Sequence, residues 1–440
     1  MLKDFSSVLL QCLTEGKQIG ESLHLLMPYF KAKHYFLVRY NSDKTQAFIV
    51  SSDIENQSDI NDNHFVLNNS ADYFRIKLNS GIKLFLDLEN DSPFSSNNEP
   101  VEQSLKLFIT VMNKIIEQYE YDIPYLLKRT QNFSEDKIKK QISRSFSVIS
   151  LSSDYLFEHL VSLFYRSKVF ENFDIDYIDL VSFLIEIRKR YNNAPYHNWV
   201  HAVDVTQFVA TIIENVGITN YIEQYEAFAV LFAAICHDID HTGHNNAFHR
   251  KATTIYATLA RSILPPLESH HAELAMQILH EGHNHIFQNI KEKEKIEHIV
   301  VDCILATDME KNNEFVNKFK DVMTKYDRNN ENDRLLLCQI ILKAADLSNT
   351  VRDFDEAVKM TQQLMTEFFQ QGDLESKLGI EISPMCDRNT AGPISKGQIG
   401  FYKFVAQPLM RSLNNFFPNL EENEKQFHNN LQQWESMNDE

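Results

Sequence analysis

Three stretches of this sequence set imidazole and carboxylate groups side by side at spacings that suit a metal centre. In Tyr196-His197-Asn198-Trp199-Val200-His201 two histidines stand four apart, so on a helix they would share one face a turn apart. His237-Asp238-Ile239-Asp240-His241 follows directly on the apolar run AVLFAAIC, and Ala345-Asp346 closes the run LLLCQIILKA. A charge at the buried end of an apolar helix is costly unless it is paired or bound to a metal. Singly, each of these residues has an ordinary explanation: a lone histidine is hydrogen-bonded, and a lone aspartate caps a helix. Imidazole and carboxylate arriving from three separate apolar segments point instead to a shared cation. Mixed nitrogen and oxygen ligation suits zinc at a tight site, whereas a carboxylate-and-water site suits magnesium or manganese.

The elements that must position these groups are helical. Apolar residues recur at three- and four-residue intervals over 177–191, 205–215, 225–235, 272–280, 296–307, 333–345 and 355–371. Glycine and proline are scarce, 11 of each in 440 residues, which opposes a turn-rich β architecture. The first part of the chain differs. It reads as a helical stretch over 5–30, a hairpin from 34–40 and 46–51, short strands at 73–78 and 82–88, and a helix over 101–119. These patterns predict a multi-domain chain. A small α/β domain over 1–120 and a helical linker over 121–145 precede an all-α catalytic domain over 146–440.

The net charge of −18 disfavours a protein that coats nucleic-acid polymers, yet leaves room for a small anion received by a local cation. Five scattered cysteines without a CxxC pair suit a reducing compartment. No apolar run reaches the roughly 18 residues needed to span a bilayer, and the first residues lack a signal-peptide pattern. The reading is a cytoplasmic protein without a membrane span.

His-Asp pairs at helix ends are the signature of a broad group of helical HD-type metal phosphohydrolases. More narrowly, from about Ser145 to Trp434 the chain resembles the catalytic domain of the class I cyclic-nucleotide phosphodiesterases. The matching segments fall in the family's order: YHNWVHAVDV, HDIDHTG, LESHH, LATDM, ADLSN, EFFQQGD and GQIGF. The resemblance implies that His201, His237, Asp238 and Asp346 hold a tighter ion, zinc, and that Asp238 bridges to a second, magnesium or manganese. It implies that His241, Glu268 and Thr307 bond water on those ions, that a hydroxide so activated attacks phosphorus, and that His197, oriented by Glu367, protonates the departing O3′. It further places Gln398 on the purine edge, Phe401 and Leu364 on the two faces of the base, and Tyr196, Asn349 and Met309 around the same cavity. On sequence spacing alone, Phe401, Leu364 and Met309 read as ordinary core, Thr307 as a helix residue bonding back along its own turn, Glu268 as a cap and Asp204 as a brace of the fold.

Two departures stand out. Thr242 occupies the place of the family's usual proline, and Asn349 is followed by Thr-Val-Arg rather than by proline. The ADLSN and EISPMCDRNTA segments favour cAMP over cGMP, while the amide of Gln398 can serve either purine. The implied reaction is hydrolysis of a 3′,5′-cyclic nucleotide to the 5′-monophosphate. The alternatives are another HD-type phosphohydrolase and a catalytically silent cyclic-nucleotide sensor. The order helix, strands, helix in the first part resembles the regulatory GAF fold, without the Asn-Lys-x-x-Phe-x-x-x-Asp-Glu motif of its nucleotide-binding members. A regulatory or dimerising role, giving a homodimer, is the expectation for it.

Overall fold

The computed structural model describes residues 26–40, 47–52, 74–77, 82–88, 106, 108–109, 146–149, 151, 153–167, 173–261, 263–280, 286–390 and 392–437. The chain divides into two compact units, Met1–Gln131 and Asn132–Glu440.

In the first unit, β1 (Ala32–Tyr40), β2 (Ala47–Ser52), β3 (Phe74–Lys77) and β4 (Ile82–Leu88) form an antiparallel sheet in the order β2-β1-β4-β3. The hairpin and both later strands fall where the alternation of residues predicts them. Leu84 and Leu86, two apart and so on one face of β4, are fully buried. Phe30, at the end of the helical residues 26–30, meets Phe108 edge to face with ring centroids 5.0 Å apart. Residues 106, 108 and 109 are helical, within the helix expected over 101–119; the rest of that span, and the expected linker over 121–145, lie outside the described residues.

The described residues of the second unit contain helices and no strand. They are α1 (Ser153–Arg166), α2 (Tyr177–Lys189), α3 (Trp199–Asn215), α4 (Gln224–Cys236), α5 (Asn246–Lys251), α6 (Ile255–Ala260) and α7 (Pro266–His280). After these come α8 (Lys293–Ala306), α9 (Asn312–Met323), α10 (Glu331–Asp346), α11 (Phe354–Leu378), α12 (Ile394–Phe401), α13 (Gln407–Phe416) and α14 (Glu421–Ser436). A π-helical turn, Tyr402–Ala406, joins α12 to α13.

The centre of this unit is α4. Every residue from Glu226 to Cys236 is buried, as befits a helix apolar on all sides. It packs against α3, α8 and α10, and α10 in turn packs on both α3 and α8. A capping box between Glu223 and Glu226 starts α4. The Glu226 carboxylate also receives Arg334 Nε at 2.9 Å, which ties the start of α10 to the start of α4. With the N-terminal ends so aligned, the C-terminal ends of α4 and α10 deliver His237 and Asp346 to one place. No described helix is long and apolar enough to cross a membrane.

Candidate active site

Helix α3 begins at Trp199, two residues past His197, so the two histidines do not share a helical face. The Asn198 side chain caps it, accepting from the amides of Val200 at 2.8 Å and His201 at 3.4 Å. His201 therefore lies in the first turn, and His197 sits in the bend before it, where the Asn198 amide donates to the Tyr196 carbonyl at 2.8 Å. The two rings still meet, edge to face with centroids 5.7 Å apart.

His201, His237, Asp238 and Asp346 offer one donor atom each within 4.8 Å of one another. His201 Nε2 lies 3.2 Å from Asp346 Oδ1 and 3.5 Å from Asp238 Oδ2, and His237 Nε2 lies 3.4 and 3.3 Å from the same two oxygens. His237 Nδ1 donates to the Ala234 carbonyl at 2.8 Å, so its Nε2 lone pair faces the cluster. His237 Nε2 and Asp238 Oδ2 are buried without a hydrogen-bond partner. Burial opposes charge on both aspartates, yet the neighbouring imidazoles hold Asp238 and Asp346 well below the usual carboxylate range. Two imidazole Nε2 atoms and two ionised carboxylates converge on one point, with His237 Nε2 and Asp238 Oδ2 left unpartnered, a donor set that fits a divalent cation.

Beside this cluster, His197 Nδ1 lies 2.5 Å from Glu367 Oε1, while Glu367 Oε2 accepts from the backbone amides of Tyr196 at 3.0 Å and His197 at 3.1 Å. Burial lowers the basicity of His197, but the Glu367 carboxylate outweighs it and raises the imidazolium to about 9. His241 stacks near His197, its centroid 4.2 Å away, and its Nδ1 accepts from the amide of Gly243 at 3.0 Å. That turn needs its glycine: Gly243 has φ +75°, in the left-handed region. Burial holds His241 well below the ordinary imidazole value, so it is neutral.

A cavity of about 360 Å³ opens over these groups. Tyr196, His197, Asp238, His241, Glu268, Thr307 and Asp346 line it, as do Met309, Asn349, Leu364 and Phe401. His201 and Glu367 stand behind this wall, bonded to Asp346 and His197 in it, and His237 lies beside them with Nε2 3.3 Å from Asp238 Oδ2. Gln398 is the exception among the sequence-predicted residues. It is buried on α12, one turn before Phe401, and its side chain is not part of the lining. Thr307 donates its hydroxyl to the Ile304 carbonyl at 2.7 Å, the local bond its helical position allows, and its oxygen still borders the cavity. Asp204 lies away from the cluster and pairs with the buried Arg352 at 2.5 Å.

Sequence reasoning passed over several neighbours. His271 donates from Nδ1 to the Ile239 carbonyl at 2.6 Å, which leaves Nε2 bare and 3.9 Å from Asp238 Oδ1. Burial lowers its pKa to about 4. The doublet in LESHH was the signal that could have found it. Asn246 donates to Glu268 at 2.8 Å, and Phe368 and Asp308 complete the wall. Asp308 and Phe368 stand inside LATDM and EFFQQGD, where their neighbours Thr307 and Glu367 drew the assignment, and Asn246 lies outside the matching segments.

Helix ends that converge on a buried His/Asp cluster beneath an open cavity define the class: a helical protein built to hold a divalent metal against a small molecule. The sequence pattern of the 3′,5′-cyclic nucleotide phosphodiesterase family matches residues 196–427, more than half of the chain, and the chain belongs to that family. The high affinity cGMP-specific 3′,5′-cyclic phosphodiesterase 9A of Mus musculus is 32% identical over 291 residues, 66% of this chain and 54% of that protein. The dual specificity calcium/calmodulin-dependent 3′,5′-cyclic nucleotide phosphodiesterase 1B of Rattus norvegicus is 34% identical over 270 residues, 60% of this chain and 49% of that protein. This chain thus spans about half the length of the curated relatives it matches. The solved structure of LmjPDEB1 in complex with IBMX superposes with a TM-score of 0.68 at 27% identity, covering 72% of this chain and 98% of that one.

Proposed function

We propose that the protein hydrolyses a 3′,5′-cyclic nucleotide to the 5′-monophosphate. The observation that carries this reading is the joint placement of two devices on one cavity. One is the four-donor cluster; the other is His197, fixed through Nδ1 by Glu367 so that Nε2 is free to give a proton. Divalent ions held there, zinc on His201, His237, Asp238 and Asp346 and magnesium or manganese shared by Asp238, would neutralise the phosphodiester and make water a nucleophile near neutral pH. His197 donates its proton to the departing O3′. Glu367 keeps the ring oriented and charged, and its two bonds to the backbone of 196–197 hold that segment still. His241, Glu268 and Thr307 border the metal side of the cavity, where each can bond water.

Phe401 and Leu364 take the two faces of the purine, with Tyr196, Asn349 and Met309 around it. Gln398, one turn from Phe401 on α12, takes the purine edge. No hydrogen bond fixes that amide among the described residues, so both orientations are open to it, and cAMP, favoured by the sequence, and cGMP can each be served. Action in the cytoplasm fits the unpaired, buried Cys236, Cys303, Cys338 and Cys386.

Side-by-side hydrolysis of cAMP and cGMP with magnesium, and again after EDTA, tests the proposal. The expected result is 5′-monophosphate from cAMP, a smaller yield from cGMP, and loss of both on chelation. Absence of turnover in metal-replete protein would refute the enzymatic reading, and a preference for cGMP would reverse the base assignment.

A further inference from the structure

Helix α11 carries more than Glu367. Gln371 and Glu375 come at successive four-residue intervals and so lie on the same face, both essentially fully buried. Each of the three side chains grips a different segment. Glu367 holds 196–197. Gln371 Oε1 accepts from the Asn245 amide at 2.8 Å, while Gln371 Nε2 donates to Asn245 Oδ1 and to Glu375 Oε1, both at 3.2 Å. Glu375 accepts from the amide of Ser383 at 2.7 Å and from its hydroxyl at 2.8 Å. Gly372 lets this last segment approach, since a Cβ there would fall 2.0 Å from the Cys386 carbonyl oxygen.

Asn245 itself borders the cavity, and the grip on it extends along the wall through the next residue of the chain. Asn245 caps α5, accepting from the Phe248 amide at 2.9 Å. Its neighbour Asn246 accepts from the Leu267 amide at 2.9 Å and donates to Glu268 Oε2 at 2.8 Å. Part-buried polar contacts, joined by the chain itself between Asn245 and Asn246, thus run from α11 to the carboxylate of Glu268 on the cavity wall.

We propose that Gln371 is a positioning residue that, through Asn245 and Asn246, fixes the Glu268 carboxylate in the metal-facing wall of the cavity. The inference rests on the phosphodiesterase reading of that cavity. A side chain that engages one residue through both its carbonyl and its amide sets position as well as distance, and neighbours coupled in one network respond non-additively. Nothing in the contacts of Gln371 touches the four-donor cluster, so its effect must travel through the 245–246 segment.

The test is a double-mutant cycle of Gln371→Met and Asn246→Ala in the full chain. Three readouts are needed: kcat and KM with magnesium, hydrogen exchange over residues 244–252, and calorimetric titration of the metal-stripped protein with manganese(II). Gln371→Met is expected to lower kcat about ten-fold with KM changed less than about two-fold. Exchange at the Asn245 amide should rise and manganese(II) affinity should fall. In the Asn246→Ala background the same substitution should cost less than about two-fold more. Equal losses in both backgrounds, or a lower melting temperature with unchanged manganese(II) affinity, would overturn the proposal. Should Gln371→Met yield too little folded protein, Gln371→Asn, which keeps both polar atoms one methylene short, takes its corner of the cycle. If the wild-type chain turns over no cyclic nucleotide, the phosphodiesterase reading fails by itself; the exchange and manganese(II) arms still decide whether Gln371 acts through Asn246.

Discussion

At the scale of residues, the site works by keeping adjacent titratable groups in opposite states. His197 is charged because Glu367 outweighs its burial, and His241, stacked on it, is neutral because nothing outweighs its own. A proton donor must be protonated to act, so turnover is expected to fall as pH rises through the raised pKa of His197. Glu367→Gln removes the group that raises it most and leaves burial opposed only by the weaker influence of Asp238 and Asp346. The alkaline limb of kcat should therefore move to lower pH by at least about one unit, most visibly as a loss near pH 8. A pH profile of both proteins from pH 5 to pH 10 checks this; an unmoved limb would mean that another group donates the proton. Much of this level could be read in the sequence. His-Asp after an apolar run announces a ligand pair at a buried helix end, and both His237 and Asp346 stand at such ends. The tautomers could not be read, because they depend on carbonyls such as Ala234 and Ile239 that only the folded turn brings to the rings.

At the scale of elements, periodicity located α2, α3, α4, α7, α8, α10 and α11, whose ends the structure moved, while α5, α6, α9 and α12 to α14 fell outside the spans it gave. Asn198 shifted the start of α3 past His197 because an asparagine side chain that caps two amides wins over continuing the helix upstream. The Gln371–Asn245 pairing was out of reach of local reasoning, since its partners are 126 positions apart and neither belongs to a pattern with a known period. The same holds for Asp204, whose partner is 148 positions away. There the brace reading, judged from residue type alone, matches the contact found. Asp204 and Arg352 are both nearly inaccessible, and the guanidinium also rests over the Phe208 ring. Asp204→Ala strands that buried cation without its carboxylate, so a loss of about 3–5 kcal/mol is expected. The protein that remains folded should keep its bound metal. Chemical denaturation gives the first number and metal analysis the second, and a loss of metal at unchanged stability would make Asp204 a ligand rather than a brace.

At the scale of the whole molecule, the division of labour follows from where the chemistry lies. Every residue assigned to metal, proton transfer or base falls between Tyr196 and Phe401, inside Asn132–Glu440, and the helices that hold them pack on one another in that unit. The first unit supplies an antiparallel sheet with its own buried leucines, a core independent of the site. A unit that carries none of the assigned residues suits regulation or pairing of subunits, the homodimer expected from the sequence. A chain limited to residues 132–440 is therefore predicted to keep kcat within about two-fold of the full chain, because no catalytic group has been removed. Its subunit number, measured by sedimentation, should be lower than that of the full chain. An unchanged number would move the pairing surface into the helical unit or remove it altogether. A large fall in kcat from a chain that still folds would mean that the first unit acts on the site as well as beside it.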